Sequence, residues 1–118
     1  MSIYTDETFV ANADLTGKQY SIVVNSTGNR VGLSGAAAAA VGVLQDKPNT
    51  GEFGTVRIAG RSRIRAGGTI ADGGLFTSDA TGGAVAVASG GYALGHAITG
   101  VASGGTFTGN INHAGYVG

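Results

Sequence analysis

Four of the seven basic residues, Arg57, Arg61, Arg63 and Arg65, fall within nine positions of one another. They lie in the stretch GTVRIAGRSRIRA (54–66), where apolar and charged residues alternate. In a strand that alternation puts Val56, Ile58, Ser62 and Ile64 on one side and the four arginines on the other. Alternate residues of a strand sit about 6.6 Å apart on one face, so Arg61, Arg63 and Arg65 would form a linear cationic ridge. Such a ridge is either a solvated outer face of a sheet or a docking surface for carboxylates on another protein or another subunit. Arginine suits the second role because its planar fork makes two hydrogen bonds to one carboxylate. Nucleic acid is a poor fit, because no aromatic residues are interleaved with the arginines to stack bases.

Little else in the chain has the makings of chemistry. His96 and His113 stand 17 positions apart with no acid close to them in sequence, a spacing that does not read as a zinc site. His96 falls in an apolar strand and reads as a structural histidine, and His113 as a solvated one. No G-x-S-x-G elbow is present, and no serine has an evident acid–histidine pair. Asp46, Glu52, Asp72 and Asp79 lie in or beside turns, where short acidic side chains bond their own backbone. Glycine pairs are frequent, but none opens a helix after a strand as a phosphate loop requires. No catalytic group, metal or cofactor is expected.

The elements that would carry the arginines are short strands. The chain has 118 residues, no cysteine, 23 glycines and one proline, and its seven basic and seven acidic residues cancel. Glycine at this density disfavours long helices, since each costs about 1 kcal/mol in a helix interior relative to alanine. The larger apolar residues are mainly Val and Ile, which fit pleated strands. A chain of this length buries somewhat over ~60% of its unfolded surface, enough for a modest core. Zero net charge argues against general nucleic-acid binding. The polar start MSIYTDETF has no signal-peptide character, and no stretch approaches the roughly 20 apolar residues of a membrane helix. Synthesis in the cytoplasm is the expectation, with no membrane partner.

Residues 1–17 read as an extended arm in which Phe9 and Val10 are the one strong apolar pair, and residues 18–118 as a single β domain. KQYSIVVN (18–25) predicts a strand with Tyr20, Ile22 and Val24 on one face and Ser21 and Val23 on the other. STGN (26–29) predicts a turn and Arg30–Leu33 a return strand. The alanine run 36–40 has glycines close on both sides and reads as a tight strand rather than a helix. KPNTGE (47–52) is a turn, and short strands follow at TIA, LFTS, AVAVA, YALGHAIT and TFTGNIN. Strands with turn signals every 8–12 residues predict an all-β chain, a small antiparallel β-sandwich or barrel built from short hairpins, with an extended N-terminal arm.

One internal echo stands out. AVGVLQDKPNTGEFGTVRI (40–58) aligns without gaps on ALGHAITGVASGGTFTGNI (93–111), matching Ala40/Ala93, Gly42/Gly95, Gly51/Gly104, Thr55/Thr108 and Ile58/Ile111. It fits either two hairpins with similar turn needs or a duplicated hairpin in a pseudo-symmetric barrel.

Four stretches in the same order, FVANADLTGKQYSIVV (9–24), GVLQDKPNTGEFGTVRIAG (42–60), AGGTIADGGLFTSDATGGAV (66–85) and ALGHAITGVASGGTF (93–107), resemble the capsid decoration (cement, head-stabilising) proteins of tailed bacteriophages. The chain departs from that pattern at Gly73-Gly74, where the family often has Gly-Asp, and in its polar C-terminus NINHAGYVG. The resemblance implies a β-rich structural protein on the outer surface of the virion head, with the major capsid protein as partner and a homotrimer as the working form. It also implies an N-terminal arm against the shell, here Thr5 to Leu15, with Thr5, Asp6, Phe9, Val10, Asp14 and Leu15 as contact candidates beside Arg57, Arg61, Arg63 and Arg65. The alternative is a carbohydrate- or host-surface-binding β module on a virion.

Overall fold

A computed structural model of the chain describes residues 4–26, 28–35, 40–87, 92–102 and 104–116, the last three of these without their side chains. The described residues are all β, without a helix: β1 (Thr5–Ala11), β2 (Ile22–Asn25), β3 (Arg30–Leu33), β4 (Gly42–Leu44), β5 (Phe53–Arg65), β6 (Leu75–Ser78), β7 (Ala84–Ala86), β8 (Tyr92–Ala97) and β9 (Thr106–Tyr116). The turns expected at 26–29 and 47–52 fall between β2 and β3 and between β4 and β5. Most of the alanine run, residues 36–39, lies outside the described residues.

The strands follow the order β1-β3-β2-β4-β5-β9-β8-β6-β7, and β1 also pairs with β5. That extra pairing closes β1, β3, β2, β4 and the first half of β5 into a five-stranded barrel. The stretch expected as an arm is therefore extended but not free. It is a barrel stave, parallel to β3 and antiparallel to β5, and the turn after it puts Leu15 into the core at 1% exposure. The acidic sequence Thr5-Asp6-Glu7-Thr8 looks solvated because all four of these residues are exposed, and burial begins only at Phe9.

A second ring follows. The far half of β5 pairs with β9, β9 with β8, β8 with β6 and β6 with β7. A parallel bridge from Ala66 to Ala84 returns to the end of β5. One long strand thus serves both barrels. Gly60 sits at the changeover with φ of +96°, a conformation that residues with a Cβ rarely hold and that lets a strand bend out of one curvature into another.

The two barrels are copies. Val43 pairs with Arg57, and 53 positions on His96 pairs with Asn110. Val24–Gly32 repeats as Thr77–Val85, and Ile22–Val43 as Leu75–His96, at the same offset. The parallel pair Ala11–Val31 repeats as Ala66–Ala84, β1 standing 55 positions before its counterpart. Loop hydrogen bonds repeat as well: the Leu15 amide to the Pro48 carbonyl becomes Ile70 to Val101, and Ala11 to Glu52 becomes Ala66 to Gly105. The echo seen in the sequence is the part of this duplication that spans β4 and the start of β5 on one side and β8 and the start of β9 on the other.

Each barrel has its own apolar cluster. Ala11, Leu15, Val23, Val31, Leu44 and Val56 fill the first. Ile64, Ala66, Ile70, Phe76, Ala84, Leu94, Ala97, Phe107 and Ile111 fill the second, with Phe76 and Phe107 edge to face at 5.3 Å between centroids. The predicted strand 18–25 begins only at Ile22. Tyr20 belongs to the preceding turn, with φ of +68°, so it does not continue the alternation with Ile22. Ile22 and Val23 are both fully buried, on opposite faces of β2 and in different clusters.

Candidate docking surface

Alternation along β5 holds as read: Val56, Ser62 and Ile64 are buried, while Arg61 and Arg63 are exposed. The four arginines do not form one ridge. Arg57 is committed to β1, its Nε and Nη2 donating to Asp6 Oδ1 and Oδ2 at 2.8 and 3.1 Å and its Nη1 to the Arg61 carbonyl at 3.0 Å. Its guanidinium lies 3.6 Å from the Tyr4 ring centroid. The hydrogen bonds to Asp6 outweigh the partial burial of Arg57 and push its pKa above the ordinary arginine value. Arg65 is also occupied. It donates to Ser21 Oγ at 3.1 Å and to the Thr81 carbonyl at 2.9 Å, tying the first barrel to the 79–83 loop of the second.

Arg61 and Arg63 remain. They point outward from β5 opposite Asn110 and Thr108 of β9 and engage no carboxylate among the described residues. The Arg63 guanidinium lies 5.9 Å from the Tyr20 centroid. Tyr4 thus stacks on Arg57 and Tyr20 lies near Arg63, arginines that the sequence shows without neighbouring aromatics. The tyrosines arrive from 53 and 43 positions upstream, a separation that no local pattern signals.

The other expected contact residues divide in the same way. Thr5 is exposed, and Asp6 is spent on Arg57. Phe9 and Val10 are half-buried in the first barrel, and Leu15 is core, so it cannot touch a partner. Asp14 is exposed and closes its own turn, accepting from the Thr16 hydroxyl at 2.7 Å and the Thr16 amide at 3.0 Å. Those bonds lower its pKa. Glu52 and Asp79 bond nearby turn amides as expected, Glu52 accepting from Asn49 and Asp79 from Thr81 and Gly83, whereas Asp46 and Asp72 tie separate segments together, accepting from the Thr55 and Gly100 amides. Burial alone would raise the Asp79 carboxyl. The amides of Thr81 and Gly83, the Thr81 hydroxyl and the Arg65 charge together hold it below the usual carboxylate range.

His96 Nδ1 lies 3.4 Å from Asn112 Nδ2. His113 is exposed, and its Nε2 lies 2.8 Å from the Ile58 carbonyl. There it borders a cleft of about 670 Å³ at one end of the first barrel, between Thr5, Glu7, Phe9, Asn29, Val41 and Ile58. In the sequence Asn29 reads as part of a turn, Ile58 as part of the apolar face of β5 and His113 as a solvated histidine, and none of them, nor Val41, stands out as a site residue. They come from four separate elements, and only the closed barrel brings them together. Phe53, 72% exposed, stands apart at the mouth of β5. No group of three or more His, Asp or Glu side chains among the described residues could hold a metal ion.

No family model matches the chain, and no curated protein matches it. Among solved structures, the N-terminal base of the head fibre protein gp8.5 of bacteriophage phi29 is similar in fold. Its TM-score is 0.77 at 18% sequence identity, covering 96% of this chain and 98% of that one.

Proposed function

We propose that this chain is a structural protein of a tailed-phage head: a decoration protein that binds the outer surface of the assembled shell as a homotrimer and stabilises it against rupture. The observation that carries the reading is the fold shared along nearly the whole chain with a protein described as a phage head fibre base. It agrees with the four collinear stretches that resemble decoration proteins. The mechanism is linkage. A protein that binds the mature shell better than its dissociated subunits stabilises the shell by RT ln(1 + [L]/Kd), about 2.7 kcal/mol per site at a hundredfold excess over Kd. This reading involves no chemical step, metal or cofactor. The major capsid protein is the partner, and Arg61 and Arg63 are the cations available to its carboxylates. Neither nucleic acid nor a membrane has a place in it.

Heat-triggered genome release tests the reading. Particles lacking the protein are expected to release DNA at a lower temperature than decorated ones, and adding the purified protein back is expected to restore the difference. Equal release temperatures would remove the cement role.

A second reading has one observation in its favour, namely that the fold neighbour is the base of a fibre. In that reading the chain anchors a host-binding part, and a glycan array would show a ligand.

A further inference from the structure

The joint between the two barrels is asymmetric. The first barrel offers the outer face of β2 and β4. Ile22 and Val43, next to the inward Val23 and Leu44, are buried in the cluster of the second barrel. The Ile22 amide donates to the Gly82 carbonyl at 2.7 Å, and the Arg65 amide to the Tyr20 carbonyl at 2.9 Å. In that cluster Ile64, Leu94 and Ile111 are all but fully buried.

Duplication lets each half of the joint be looked for on the barrel that does not use it. The first-barrel counterparts of Ile64, Leu94 and Ile111 are Phe9, Val41 and Ile58. They are only partly buried and all three line the 670 Å³ cleft. The second-barrel counterparts of Ile22 and Val43 are Leu75 and His96, which pair with each other as Ile22 and Val43 do. Leu75 is 40% exposed. Each chain therefore carries one completed joint inside it, a groove on the first barrel that no described residue fills, and on the second barrel a knob in which Leu75 is exposed beside the partly buried His96.

We propose that copies of this chain associate head to tail, the Leu75–His96 face of one seating in the Phe9–Val41–Ile58 cleft of the next. Backbone detail differs from the internal joint. The Val10 amide, counterpart of Arg65, already donates to the Asn29 carbonyl at 2.8 Å, so the gap that admits Tyr20–Ile22 in the second barrel is shut in the first. The joint between copies is made by side chains and is weaker than the internal one. A head-to-tail contact is heterologous, and it closes into a ring when its rotation allows. Three copies would make a ring of six barrels. This deepens the homotrimer of the reading above by naming its surfaces.

Sedimentation equilibrium of the purified protein at about 100 μM, where a micromolar contact is populated, tests the proposal without any shell. Its failure is thus distinct from failure of shell attachment. Wild type is expected to run as a multiple of the monomer mass. Ala59 also lines the cleft; Leu75→Asp on the knob and Ala59→Arg at the cleft are each expected to be monomeric. Mixed one to one, they are expected to give a dimer and nothing larger, because each retains one good surface. Leu75→Lys serves in place of Leu75→Asp if circular dichroism shows the latter misfolded. A monomeric wild type, unchanged mass in either variant, or a mixture that stays monomeric would overturn the proposal.

Discussion

Tyr20 holds the backbone conformation of Gly73, its counterpart 53 positions later. Their φ angles are +68° and +73°, and their amides donate to the equivalent carbonyls of Leu44 and Ala97. A left-handed residue costs a non-glycine side chain about 1–2 kcal/mol. Tyr20 has contacts to set against that cost, since its ring packs on the second cluster and lies near Arg63. An added Cβ at Gly73 would meet nothing within 4 Å. Gly73→Ala is accordingly expected to destabilise by about 1 kcal/mol through backbone strain alone. Urea denaturation should show a lower midpoint with an unchanged slope.

Gly42 and Gly95 test the duplication by a different mechanism. A Cβ at Gly42 would run into the carbonyl oxygen of Arg57, and one at Gly95 into that of Asn110, the residue 53 positions after Arg57. In both cases the obstacle is the backbone of the paired strand, which cannot step aside without breaking the ladder. Each glycine-to-alanine change is expected to cost about 2–3 kcal/mol, more than Gly73→Ala. Thermal melts of the three variants should rank accordingly. Equal and negligible losses at Gly42 and Gly95 would contradict the close strand approach.

These glycines also show which parts of the fold the sequence makes legible. Turns were readable because Asn, Asp and Gly act locally, and the face alternation of β5 was readable because a strand has period two. The hairpin echo was visible because Gly42 and Gly95 are needed for the same steric reason. The rest of the duplication was not, because Ile22-Val23-Val24-Asn25 and Leu75-Phe76-Thr77-Ser78 share a register but no identities. The closing pairs, Thr8 with Thr55 and Ala66 with Ala84, join residues distant in sequence. So do the stacks of Tyr4 on Arg57 and Tyr20 near Arg63. That is why an acidic stave read as an arm, and two committed arginines as part of a free ridge.

Asp79 gives a pH dependence with a definite sign. Its folded-state pKa is lowered, so the folded protein binds its proton less readily than the unfolded chain, where aspartate titrates near ~3.9. The stabilisation is then fully present above that value and is lost as pH falls below it through the folded pKa. Asp79→Asn is expected to lower stability at pH 6 by about 1 kcal/mol or less, given the solvent exposure of the loop. The gap to wild type should shrink below about pH 4. A gap that stays constant across this range would mean the carboxylate charge is not what the loop amides hold.

Asp6 and Arg57, opposite each other in the β1–β5 pairing that closes the first barrel, form a bidentate pair with side chains 28% and 17% exposed. Pairs this accessible contribute little to global stability, about 0–1 kcal/mol. Asp6→Asn is therefore expected to shift the global melt slightly. The effect should be local instead, with faster amide exchange in Thr5–Thr8 of β1 and little change in β8 and β9. Uniform acceleration across both barrels would show that the stave closes the fold cooperatively.

Of the four β5 arginines, Arg61 and Arg63 are the two whose side chains make no hydrogen bond or ion pair among the described residues, and this separates a docking role from a structural one. Arg65 holds Ser21 and the Thr81 carbonyl, so reversing its charge would disturb the joint between the barrels and confuse the outcome. Arg61→Glu with Arg63→Glu removes no side-chain hydrogen bond among the described residues, only the 5.9 Å approach of Arg63 to the Tyr20 ring. The double variant is expected to fold with a melting temperature close to wild type and to bind phage heads at least tenfold more weakly, about 1.4 kcal/mol or more. Wild-type binding should also weaken between 50 mM and 500 mM salt, because exposed charge pairs are screened over a Debye length of about 10 Å at 0.1 M. Full binding by the double variant would remove Arg61 and Arg63 from the contact.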